Sequence, residues 1–224
     1  MFVHMSLQTI VYMRLAAILL AQCVAFVSSL CVPRGHTTPL RWVQLLLGIE
    51  LVYESVCAWA GIKGINNSIL VNLYQPVEMV LLLVFFSEWR PQWRTWLAGV
   101  GAVGLAAWAV LWVLNDPWSF LITEAVLITA LLQTAVILVA LWHLAEHSER
   151  PLWHEPYFWF LLGNFAYFGG VFPIIGPLRQ LETNSPMMAF NLFIIISILA
   201  VLRSLLTATA CLLMRHQALH PRTP

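Results

Sequence analysis

Glu78 stands inside an apolar run, Asn66–Phe86, that also carries Asn72, Tyr74, Gln75 and Pro76. A carboxyl, a phenol and two carboxamides among leucine, valine and phenylalanine are costly in a bilayer unless neighbouring helices satisfy them. They mark the wall of a polar interior. A second apolar run holds Glu50, Tyr53, Glu54 and Cys57, whose three- and four-residue spacing puts them on one helical face. Asn67, Val71, Tyr74 and Glu78 form the matching stripe of the first run. Glu50 lies eleven residues from Pro39, and Glu78 eleven residues from Asn67, so on antiparallel helices both carboxyls reach mid-depth. Facing stripes would make a ladder of carboxyl and phenol groups. Such a ladder can hold a proton, a cation or a cationic ligand.

Pro76 adds to this chemistry. Without an amide hydrogen it leaves the carbonyl of Asn72 without its helical partner, so a kink is expected there with an acceptor free for a cation, a hydroxyl or water. Other apolar segments contribute Arg14, Gln22, Glu124, Gln133, Asn164, Tyr167, Asn191 and Arg203. Two arginines then face four glutamates, Glu50, Glu54, Glu78 and Glu124. Carboxyls left without a cationic partner in a membrane tend to hold a proton or recruit a cation or water; protonated glutamates that only tie helices together fit the same residues. The candidate ligand- or proton-binding residues are Glu50, Tyr53, Glu54, Asn72, Tyr74, Glu78, Tyr167 and Arg203. No catalytic residue is assigned.

These residues need helices to hold them. Of 224 residues 61% are hydrophobic and 9% charged, against about 25% charged in soluble domains. The chain reads as an all-α bundle of seven transmembrane helices in one domain, spanning approximately Ile10–Val32, Pro39–Gly61, Ser68–Ser87, Trp93–Leu114, Ser119–Ala145, Pro156–Gly176 and Met187–Met214. Loops rich in proline, glycine and asparagine separate them, the longest being GPLRQLETNSP before the last. Arg34, Arg41, Arg90, Arg94, Arg150, Arg215 and Arg222 fall on one side and Lys63 and Arg179 on the other. This asymmetry predicts the N-terminus outside and the C-terminus in the cytoplasm. Trp89, Trp93, Trp96, Trp118, Trp142 and Trp153 sit near the predicted interfaces as an aromatic belt.

Several chemistries drop out. A net charge of +1 with no basic run gives nucleic acid no track. The single lysine, Lys63, lies in a loop, which excludes covalent retinal, and no other cofactor is expected. His143, His147 and His154 have a spacing that can share a metal, but they lie at a solvated helix end and are weak candidates. Cys23, Cys31, Cys57 and Cys211 match no metal or redox spacing and read as small apolar residues.

The run NNSILVNLYQPVE resembles an asparagine, tyrosine, proline and glutamate pattern in small, uncharacterised seven-helix bacterial membrane proteins. The resemblance covers one helix. It implies a multi-pass protein of the bacterial inner membrane and carries over no activity.

The residues point first to a receptor- or sensor-like module that binds a small ligand or proton and signals to a membrane or cytoplasmic partner. A small proton-coupled transporter using Glu50 and Glu78 is the alternative, helped by a break expected in the sixth helix at Gly169, Gly170 and Pro173. A lipid-active membrane enzyme with Glu54, Glu78 and Tyr74 as acid–base groups is the third reading.

Overall fold

The computed structural model describes residues 7–33, 39–118 and 120–220, less the side chains of 7, 8, 178–180, 182, 183 and 186. Among them are seven α-helices and no strand: α1 (Leu7–Leu30), α2 (Leu40–Ile62), α3 (Ser68–Trp89), α4 (Arg94–Leu114), α5 (Thr123–His147), α6 (Pro156–Asn184) and α7 (Pro186–Leu219). Short 3-10 turns at Pro91–Trp93 and Leu152–His154 lead into α4 and α6. All seven helices are long and apolar enough to cross a membrane, as in an integral, multi-pass membrane protein. Of the basic residues used for orientation, Arg34 and Arg222 lie outside the described residues, as does Ser119, the expected start of the fifth span.

Each helix packs on the next in sequence, and α1 returns to α7, so the bundle closes into a ring. α3 also touches α5 inside that ring, which pushes α4 to the periphery. Half of the apolar window of α3 is buried, against 11% for α4. The polar helix is thus the central one.

Two connections differ from expectation. The segment GPLRQLETNSP is helical rather than a loop up to Asn184, leaving Ser185 alone between α6 and α7. Leucine, arginine, glutamine and glutamate favour helix, and their preference wins once the preceding turns are formed. Arg179, counted as a loop residue, lies within α6. The expected break at Gly169, Gly170 and Pro173 is also absent: α6 runs unbroken through Pro173 and Pro177. Neighbouring helices tolerate proline inside a membrane helix by taking up the freed groups. Elsewhere the turn follows its residues. Gly64, at φ 68°, ends α2 in a Schellman motif, with Ile65 N–H on Ala60 O and Gly64 N–H on Gly61 O.

The two halves of the bundle differ. Beyond Glu50, Glu78 and Arg203 along their helices lies a packed apolar cluster that includes Leu46, Leu82, Phe86, Leu161, Ala208 and Cys211. Phe85 lies at its centre, with ring centroids 4.8 Å from Phe160 and 5.2 Å from Phe86. Lipid tails are as apolar as leucine, so close packing rather than water exclusion holds this layer. Trp96, Trp118, Trp142 and Trp153 are exposed. Trp89 and Trp93 are half-buried and pack on the aromatic layer.

Candidate functional site

Arg203 is the cation around which the polar half is organised. It is 4% exposed and donates from Nη1 to Glu78 Oε1 at 2.6 Å, a short charge-assisted bond. Its Nη2 lies 3.6 Å from Glu50 Oε2, an ion pair just beyond hydrogen-bond length. Gln22 Nε2 donates to the other oxygen of Glu50 at 3.2 Å, and the Tyr74 hydroxyl reaches Glu78 Oε1 at 3.4 Å. The guanidinium also sits over aromatic faces, with Cζ 4.9 Å from the Tyr167 centroid and 5.3 Å from that of Phe168. Two carboxyls therefore share one guanidinium.

Residue counting puts Arg203 nearer the cytoplasmic side than the glutamates. In the structure its long side chain reaches them, because helical side chains lean back toward the N-terminus of their helix. Gly163 brings α6 against this point of α7. A Cβ there would stand 3.1 Å from the carbonyl oxygen of Arg203 and 3.1 Å from Leu206 Cβ. Such close backbone approach is what small residues allow between membrane helices.

The cluster forms the floor of a cavity of about 480 Å³, walled by α1, α2, α3, α6 and α7 with the start of α5. From Gly61 and Ile62 at one end to Glu50 is about 18 Å at a rise of ~1.5 Å per residue. Seven of the eight candidate residues, Glu50, Tyr53, Glu54, Tyr74, Glu78, Tyr167 and Arg203, line it. So do Cys57, Asn67 and Val71 of the two stripes. Tyr53 and Tyr74 stack on one side, centroids 4.1 Å apart and planes 8° from parallel. Glu54 lines the cavity half-buried, within electrostatic reach of Arg14.

Asn72 is elsewhere. Its Nδ2 donates to Pro117 O and to Phe120 O, both at 2.9 Å, and its Oδ1 accepts from Ile122 N–H at 3.0 Å. It ties α3 to the connection between α4 and α5 and does not line the cavity. The carbonyl freed by Pro76 is not open to a ligand either: the indole N–H of Trp108 donates to Asn72 O at 3.0 Å. Gln75 is engaged as well, its Oε1 accepting from the Thr129 hydroxyl at 3.0 Å.

Three contributors were missed in the candidate set. Arg14, Gln22 and Phe168 complete the electrostatics, yet the order of helices in the ring is what brings α1 beside α2 and α7. Gln22 carried a signal, a carboxamide at mid-depth of an apolar span. The histidines form no chelate: the rings of His143 and His147 stack 4.1 Å apart at 15°, so their in-plane lone pairs run side by side instead of converging. His147 Nδ1 is bonded to His143 O at 3.0 Å. Among the described residues no three of His, Cys, Asp and Glu are grouped to hold a metal.

No family model, no curated protein and no solved structure matches the chain. The functional reading rests on this geometry.

Proposed function

We propose that the chain is a receptor- or sensor-like module of the bacterial inner membrane that binds a small, positively charged ligand or a proton in this cavity. The charge of a blind cavity carries the reading. Among the described residues, Glu50, Glu54 and Glu78 line it against Arg14 and Arg203, so their ionised side chains sum to one negative charge. In low dielectric that charge is expensive without a counter-ion, and one monovalent cation or proton balances it. With the N-terminus outside, the Gly61 end of the cavity faces the exterior. α7 carries Arg203 and continues to Leu219, far longer than a ~30 Å hydrocarbon core requires. A shift of this helix passes binding to a membrane or cytoplasmic partner.

The packed layer around Phe85 favours a receptor over a carrier. A transporter has to open that layer on the way to the other side. Cys57 lines the cavity and supplies a test. In protein carrying Cys23→Ser, Cys31→Ser and Cys211→Ser, an impermeant trimethylammonium methanethiosulfonate should label Cys57 from the Gly61 side only. Labelling from both sides would turn the reading into the proton-coupled transporter, as would dye-detected proton flux in liposomes.

A further inference from the structure

A second concavity lies on the outer surface of α2 and α3, with Phe26 of α1 at one end. It measures about 660 Å³, and its lining is almost wholly apolar: Leu45, Gly48, Val52, Leu73 and Val77 are typical. Val52 is 65% exposed and Leu73 46%, at positions well inside their spans, so this groove faces the hydrocarbon of the bilayer. Two residues belong to both spaces. Tyr53 and Tyr74 line the interior cavity and the outer groove alike, and among the described residues no other does. The stacked tyrosine pair is therefore the partition between an acidic cavity and a lipid-facing trough.

That juxtaposition specifies a ligand. The partition is two side chains held face to face, so parting them breaks a ring contact and the Tyr74 hydroxyl's bond to Glu78 Oε1 and no covalent link. A molecule passing between the rings has its polar head among Glu54, Glu50 and Glu78 and its remainder in hydrocarbon. We infer that the cavity takes a cationic amphiphile, an amine head with a hydrocarbon chain, entering sideways from the bilayer between Tyr53 and Tyr74, with the chain lying in the groove beside Gly48 and Val52. This rests on the cation-binding reading above and adds the chain and the route. The head answers the unbalanced carboxylate, and the aromatic faces that part for it are suited to a cation. The chain answers a trough that otherwise holds only lipid tails.

The two parts of the ligand can be tested apart. Butylamine, dodecylamine and dodecanoate are titrated against the full chain in lipid nanodiscs, with heat of binding as the readout. Val52→Trp fills the groove from its exposed side, and Gly48→Leu fills it from the floor, where a Cβ meets only Phe26 at 3.4 Å. The wild type should bind both amines and not dodecanoate. Each groove variant should keep butylamine affinity and lose about tenfold or more for dodecylamine, as a few methylenes leave their contacts. Glu54→Gln should weaken both amines together. If Val52→Trp and Gly48→Leu both bind dodecylamine as the wild type does, while butylamine binding is intact, the groove has no part and the inference falls alone. If the wild type binds butylamine no better than dodecanoate, the cation-binding reading falls and takes the inference with it.

Discussion

At the scale of single residues, the strongest coupling is the one between Arg203 and its two carboxyls. Removing a buried cation leaves both without compensation, so Arg203→Leu alone should cost about 3–5 kcal/mol. Adding Glu50→Gln and Glu78→Gln should recover a large part, because the uncompensated charges are then gone. Thermal unfolding in detergent reads both; equal loss in single and triple variants would contradict the shared-guanidinium geometry. Asn72→Ala should also destabilise, by roughly 1–3 kcal/mol for unmet partners in the α4–α5 connection, with Cys57 labelling unchanged. Asn72 shows where sequence reading stops. Its type and depth announced a buried polar group, but its partners lie 45 to 50 residues further on, and nothing local distinguishes a ligand contact from a tether. Glu50, Tyr53, Glu54, Tyr74 and Glu78 were legible together because helical spacing and depth are local properties of adjacent spans.

At the scale of elements, α3 depends on an exchange of donors. Pro76 withholds the amide that Asn72 O would take, and Trp108 of α4 supplies an indole N–H instead. Trp108→Phe should therefore cost about 1–3 kcal/mol by stranding that carbonyl. In a Pro76→Ala background the same change should cost much less, since the restored amide takes the carbonyl over. A double-mutant cycle of unfolding free energies measures the difference; additive costs would mean that the indole and the proline act independently. α6 against α7 is the second critical pair. Gly163→Val should push the Arg203 backbone away and cost about 1–3 kcal/mol, seen as a lower unfolding temperature. The sequence placed the bounds of the spans within four residues except at the ends of α6 and α7, since twenty apolar residues in a row have few alternatives. It misjudged the end of α6, where polar helix formers continue past the apolar stretch.

At the scale of the whole molecule, the bundle is divided into an acidic, hollow half and a packed, aromatic half, with the Glu50–Arg203–Glu78 cluster on the boundary. Composition and periodicity foretold seven helices, but which faces meet across the ring is long-range information, and so the division itself was hidden. Orientation predicts that a reporter after Pro224 is active only as a cytoplasmic fusion and one inserted at Asn66 only as an external fusion. Activity of both on one side would undo the seven-span arrangement. The central claim is that the hollow half is a binding site for positive charge, open at the Gly61 end. Its most direct measurement is the rate at which the cationic thiol reagent modifies Cys57 from that side in the presence of propylamine, propanol or propionate. The account predicts that propylamine slows modification while propanol and propionate leave it unchanged. Equal rates with all three solutes, or no modification of Cys57 at all, would contradict it.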